Sequence, residues 1–291
     1  MDRLTHTYKV VNGHQVKADV YGDFAGGPRP VIVWIHGGAL IMGHRDNLKE
    51  WQRDLYLSAA YNVVSIDYRL APETKLPAII EDIEDAFHWV RAAGPKLFSA
   101  DPERIAAVGH SAGGYLTLMA GARVRPRLQA LVSFYGYGDI IGDWYSRPDP
   151  FYCQQPLVTR EEAQASVGTT VISGTHDDER RDRFYLYCRQ QGRWAREVMG
   201  RDPAADAEAF VPFCPVRNVT ADYPPTILLH GGRDTDVPYQ QSVMMAEALA
   251  EAGIPHELMT ISGGEHGFDA SEDAAARDVF GRVTAFLRRY V

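Results

Sequence analysis

Gly109-His110-Ser111-Ala112-Gly113, entered from the apolar run Ile105-Ala106-Ala107-Val108 and left through Gly114-Tyr115-Leu116-Thr117-Leu118-Met119-Ala120, decides how this chain folds. The first run reads as a strand and the last as a helix, with a turn of the form G-x-S-x-G between them. Such a turn is too tight for large side chains, and Gly109, Gly113 and Gly114 with Ala112 relieve the crowding. The helix begins at the serine, so its free N–H groups face any negative charge that develops there. A Gly-rich turn after a strand is also an ordinary packing device. The strand before and the helix after are what give this one a chemical reading.

Outward from the turn, strands alternate with helices. Val31-Ile32-Val33-Trp34-Ile35 is apolar throughout, as a strand covered on both faces must be. Val63-Val64-Ser65-Ile66, Ala130-Leu131-Val132-Ser133-Phe134 and Thr226-Ile227-Leu228-Leu229-His230 are of the same kind, and residues 256–261 form a further strand. Apolar residues at 79, 80, 83, 86, 87 and 90 have a helical period over residues 78–93, and residues 241–252 and 274–290 also read as helices. Near the N-terminus, residues 8–11 and 15–21 flank Asn12-Gly13, a pair suited to a hairpin turn. The expectation is an α/β fold with a mostly parallel sheet, helices on both faces and an antiparallel hairpin at one edge. Residues 136–222 break the alternation. They lack strong strands, are rich in aromatics and arginines, and allow a helix at 178–199. A single domain over residues 1–291 with a lid-like insertion at about 136–222 is the economical organisation.

The chain has 291 residues, a net charge of −8 and a composition that is 45% hydrophobic and 23% charged. These values suit a globular protein and disfavour nucleic acid or an anionic membrane as partner. The first residues carry no apolar segment, no run reaches membrane length, and three cysteines without a C-x-x-C pair do not make a disulfide framework. A cytoplasmic setting is expected. A homo-oligomer stays open, because an apolar face on the last helix or strand reads the same whether it is core or interface.

Three further segments sit where strands end, at the carboxyl edge where open α/β sheets bind ligands. His36-Gly37-Gly38-Ala39-Leu40 follows the strand ending at Ile35, and its glycines expose backbone N–H groups to an oxyanion. His36 suits bracing of that loop better than proton transfer. In Gly231-Gly232-Arg233-Asp234-Thr235-Asp236-Val237-Pro238, either aspartate could orient a histidine. Asp236 fits a helix cap, which leaves Asp234 as the acid. Gly263-Gly264-Glu265-His266-Gly267 presents a histidine downstream of both Ser111 and Asp234, giving the order Ser…Asp…His. His110, next to the serine in sequence, should diverge from it and pack. No H-E-x-x-H, Cys/His cluster or phosphate loop is present, so no metal and no cofactor is expected.

With these segments the chain resembles the α/β-hydrolase fold serine esterases of the hormone-sensitive-lipase-like group. Asp67-Tyr68-Arg69-Leu70-Ala71-Pro72-Glu73 is similar to a segment typical of that group and more specific than G-x-S-x-G. The resemblance implies a Ser111, His266, Asp234 triad and an oxyanion hole of the Gly38, Ala39 and Ala112 N–H groups. It also implies that the segment at 67–73 braces the loop bearing His36. H-G-G-A stands where the group has H-G-G-G, and alanine keeps the N–H. Little chain precedes the first strands, so the insertion is expected to do the work of the group's cap. The implied activity is cleavage of small-molecule carboxylic esters with short acyl or aryl groups; arginines of the insertion are candidates for binding a substrate carboxylate. An amide hydrolase on the same triad, kynurenine-formamidase-like or peptidase-like, and a non-catalytic binding protein on the same fold remain as alternatives.

Overall fold

A computed structural model describes residues 2–291. Asn12 and Gly13 both take positive φ, and this turn joins β1 (Asp2–Val11) to β2 (His14–Gly22) as an antiparallel hairpin. Six strands follow: β3 (Arg29–Ile35), β4 (Asn62–Ile66), β5 (Ala100–His110), β6 (Ala130–Phe134), β7 (Thr226–Gly231) and β8 (His256–Ile261). The sheet runs in the order β1-β2-β4-β3-β5-β6-β7-β8. Only the pairings of β2 are antiparallel; every pairing from β4 through β8 is parallel.

Helices cover both faces, and strand alternation assigns each side chain to one of two cores. Val31, Val33 and Ile35 of β3, with Ile105 and Ala107 of β5, pack beneath α2 (Leu76–Phe98) and α3 (Ala112–Arg123). Ile32, Trp34, Ala106 and Val108 point the other way, to α1 (Glu50–Ser58) and the C-terminal helix at Ala274–Tyr290. This is the architecture expected from the sequence. Two helices differ from the expectation. Helix α2 extends to Phe98, beyond Ala93, and accommodates Pro95. Helix α1, nine residues long, was not anticipated, although Trp51, Leu55, Tyr56 and Ala59 recur at helical spacing and pack on this second core.

Residues 136–222 hold no strand. They form α4 (Asp143–Ser146), α5 (Arg160–Ala165), α6 (Asp178–Gln191) and α7 (Trp194–Met199), joined by turns, with Gly192 in the left-handed region separating α6 from α7. Aromatic stacking does the work that periodicity does elsewhere. The Tyr145 and Trp194 rings stack at 3.9 Å, and Tyr137 stacks on Tyr115 of α3 at 4.7 Å. The insertion thereby joins the core on the α2–α3 side. The chain then returns through β7, α8 (Gln240–Glu251) and β8 to α9, the helix at Ala274–Tyr290.

Candidate active site

Strand β5 ends at His110, and Ser111 takes φ 55° and ψ −120° before α3 begins at Ala112. A non-glycine residue in that region is strained and persists only where its surroundings fix it. Here they do. The Ser111 N–H donates to Phe134 O at 2.9 Å, and its carbonyl accepts from Tyr115 N at 3.0 Å. The close approach of α3 to β3 requires glycine at 113, where a Cβ would lie 2.0 Å from Ile35 O.

The loop after β3 is built with comparable rigidity. Gly38 has φ +101°, and a Cβ there would meet Met42 O at 2.2 Å. Ala39 and Leu40 also take positive φ, at 55° and 63°. Among the described residues, the N–H groups of Gly38, Ala39 and Ala112 donate to no other group. His36 is buried, with Nδ1 2.8 Å from Gly37 O and its ring stacked on Tyr68 at 4.2 Å. Burial pushes its pKa down to about 3, so it stays neutral and braces the loop. The segment at 67–73 does brace this loop: Tyr68 Oη donates to His36 O at 3.0 Å and Ala71 N to Leu40 O at 2.8 Å.

The insertion grips the same loop from the other side. Trp194 Nε1 donates to Ala39 O at 2.9 Å, Arg181 Nε to Ile41 O at 2.5 Å, and Gly43 N to Asp178 Oδ1 at 3.1 Å. Arg181 also forms a bidentate pair with buried Glu73, both contacts at 2.8 Å.

His266 and Asp234 meet after β8 and β7. His266 Nδ1 lies 2.8 Å from Asp234 Oδ2. Asp234 Oδ1 accepts the N–H groups of Asp236 and Val237, both at 2.9 Å, and His230 Nε2 lies 3.2 Å from Oδ2. Burial acts to raise the Asp234 pKa, but the hydrogen bonds from His230 and His266 outweigh it and hold the carboxyl well below the usual range. For His266, burial acts to lower the pKa. The hydrogen bond to Asp234 and the charges of Asp236, Asp234 and Asp269 reverse that and hold it above the ordinary histidine value.

Ser111 and His266 line one cavity of about 360 Å³ together with Gly37, Gly38, Ala39, His110 and Tyr135. Its remaining wall includes Tyr152, Asp182 and Tyr185 of the insertion. Other hollows on the surface include one of about 790 Å³ lined by Asp139, Cys214 and Glu247 among others, but it contains neither serine nor histidine.

Two expectations are corrected. Asp236 is not a helix cap: α8 starts at Gln240 with Tyr239 before it, and the turn is capped by Asp234. Asp236 instead points into the cavity, 3.4 Å from His266 Nε2. Tyr185 Oη and Tyr152 Oη donate to it at 2.5 and 2.8 Å, and Arg189 Nη1 at 2.7 Å. Nor do arginines of the insertion offer a carboxylate site. None lines the cavity, Arg181 is committed to Glu73, and Arg189 is committed to Asp149 and Asp236.

His110 packs as expected, stacked on Phe134 at 4.3 Å, but it also has a charged neighbour. Its Nε2 lies 2.9 Å from Asp269 Oδ2, off the axis of a good hydrogen bond. Asp269 further accepts from Tyr135 Oη at 2.6 Å and Gln52 Nε2 at 2.8 Å, which ties down the loop three residues after His266. Sequence reasoning missed Asp269, His230 and the Tyr185–Arg189 pair. For the last, the signal was available: residues four apart share a helix face.

A family model, BD-FAE, matches residues 19–249. The chain belongs to the BD-FAE family. Two solved structures of similar shape are an alpha/beta hydrolase superfamily protein from Enterococcus faecalis and an esterase from Thermogutta terrifontis with propionate bound. The first has TM-score 0.78 and 22% identity, covering 99% of this chain and 98% of that one. The second has TM-score 0.69 and 21% identity, covering 99% and 94%. The α/β-hydrolase fold implied by the sequence is therefore the fold of this BD-FAE member. A curated relative, the non-reducing polyketide synthase ausA of Aspergillus calidoustus, is 29% identical over 96% of this chain. The chain spans 14% of that relative's length. No described helix is long and apolar enough to cross a membrane.

Proposed function

We propose that this protein is a serine hydrolase that cleaves carboxylic esters, with Ser111 as nucleophile, His266 as general base and Asp234 as the acid that orients it. One observation carries the reading: His266, held at 2.8 Å by Asp234, shares a cavity with a serine in a strained turn at a helix N-terminus. The likeness to the Thermogutta terrifontis esterase supports the substrate class.

The steps follow from the placement of the groups. Asp234 accepts a hydrogen bond from the Nδ1–H of His266, which leaves Nε2 free to take the Ser111 hydroxyl proton as Oγ attacks the ester carbonyl. The carbonyl oxygen becomes an anion, for which the undonated N–H groups of Gly38, Ala39 and Ala112 are the available donors. Collapse of the tetrahedral intermediate breaks the carbon–oxygen bond to the alcohol, and His266 returns its proton to the leaving oxygen. Water, deprotonated by His266, then attacks the acyl-enzyme; the acyl carbon–Oγ bond breaks, His266 returns the proton to Ser111 Oγ, and the acid is released. The insertion acts as a fixed lid that keeps bulk water from the oxyanion.

A fluorophosphonate probe should label the folded protein at Ser111, as located by peptide mass mapping, and purified protein should hydrolyse p-nitrophenyl acetate. Ser111→Ala should abolish labelling and lower turnover by ~10⁴-fold or more. An unlabelled, folded wild type with no esterase activity would mean a binding protein on a hydrolase fold.

A further inference from the structure

The wall of the cavity opposite Ser111 is acidic and aromatic. Asp182 stands at its open rim on α6, with Tyr185 one turn on and Tyr152 and Asp236 beside them. No lysine or arginine lines the cavity. Asp236 has a counter-charge in Arg189, but that guanidinium is shared with Asp149 at 2.6 Å, two carboxylates to one cation. Asp182 has none. Among the described residues its surroundings offer desolvation and the like charges of Asp236 and Asp178, which hold its pKa above the ordinary aspartate value. An unpaired carboxylate facing a cavity, repelled by its neighbours, lacks a cation that the protein does not supply. The rings of Tyr152 and Tyr185 already hold the Arg189 guanidinium, whose Cζ lies 4.5 and 5.6 Å from their centroids, so the uncompensated charge on this wall is that of Asp182.

We propose that Asp182 selects esters that carry an ammonium group, received by its carboxylate at the rim of the cavity. A neutral hydroxyl could hydrogen-bond to Asp182 but would leave the excess negative charge uncompensated. A substrate carboxylate would add to it. The proposal rests on the serine-hydrolase reading for its kinetics, but not for its binding.

The test compares each cationic ester with a neutral isostere in which carbon replaces the quaternary nitrogen. One pair places the group on the alcohol: choline acetate against its trimethyl carbon analogue. The other places it on the acyl chain, as a p-nitrophenyl ester of trimethylammoniobutyrate against its carbon analogue. We expect kcat/KM to favour the cation by about tenfold or more in one pair, which also tells on which side of the ester the group lies. The preference should shrink as salt is raised. Asp182→Asn should bring the ratio to within about twofold of one, and Asp182→Glu should retain a preference. Asp182→Ser serves if the asparagine variant does not fold. Calorimetric binding of the same pairs to Ser111→Ala protein reads the charge preference without turnover. If neither pair is cleaved and no fluorophosphonate label is taken, the hydrolase reading fails while calorimetry still decides the charge preference. Equal kcat/KM and equal binding within each pair, or a preference that survives Asp182→Asn, would overturn the proposal.

Discussion

Asp234 and Asp236 are separated by one threonine, yet they approach opposite nitrogens of His266. Asp234 is 2.8 Å from Nδ1 and Asp236 is 3.4 Å from Nε2. The first distance is a hydrogen bond; the second places a charge beside the nitrogen that must receive the serine proton. Asp234→Asn should therefore cost at least about a hundredfold in kcat, because an amide no longer holds the required tautomer. Asp236→Asn should cost much less. A reversed ranking in steady-state kinetics would make Asp236 the orienting acid. The same geometry fixes a pH dependence. His266 works as a base only when neutral, and its pKa is raised, so kcat/KM should climb through an acid limb lying above the ordinary histidine value. Removing the charge of Asp236 takes away one cause of that elevation, so the limb of Asp236→Asn should move to lower pH. A limb that stays in place, or moves upward, would show that Asp236 does not act on the free histidine.

At the scale of elements, the loop of residues 37–43 is held between the segment at 67–73 and helices α6 and α7. Arg181 is the bolt, reaching Ile41 O, Ala71 O and Glu73 at once. Arg181→Met should leave the Glu73 carboxylate, 1% exposed, without its partner, and destabilise the fold by about 3–5 kcal/mol in urea unfolding. A loss under about 1 kcal/mol would mean that water reaches Glu73 easily and that the loop is held by other contacts. How far such arrangements could be read in advance depended on the element. Parallel strands β3 to β7 were legible because burial on both faces leaves an apolar run bounded by turns. Ser111 and Asp234 stood out because each follows such a run, and His266 because it comes after the last strand, downstream of both. Asp236 was misread as a cap because its partners, Tyr152, Tyr185 and Arg189, come from the insertion. Short helices held by stacked rings and buried ion pairs leave no period in the sequence, so nothing local announced which side chains would meet across 47 to 84 positions of chain.

For the whole molecule, the consequence is a site of fixed and modest size. The cavity of about 360 Å³ lies near the lower end of the ~300–1,000 Å³ typical of small-molecule pockets. Its floor is the turn at Ser111, backed by the sheet. Its far wall is α6, which Arg181 and Arg189 pin through buried ion pairs, so widening the cavity would mean breaking charge pairs in low dielectric. Among the described residues the exposed large apolar side chains are Val10, Leu97, Phe151 and Leu157, drawn from β1, α2 and the insertion, on a chain of net charge −8. A long acyl chain would have to leave through the rim past Asp182 and lie in water. Across p-nitrophenyl esters from acetate to palmitate, kcat/KM should peak within the short acyl groups and fall by at least about tenfold towards palmitate, since each methylene that stays outside forgoes its ~0.8 kcal/mol of burial. Rates on emulsified substrate should show no jump at the lipid–water interface. Palmitate cleaved as fast as butyrate, or faster once the interface forms, would show that α6 moves aside despite its ion pairs, and the insertion would then be a mobile gate.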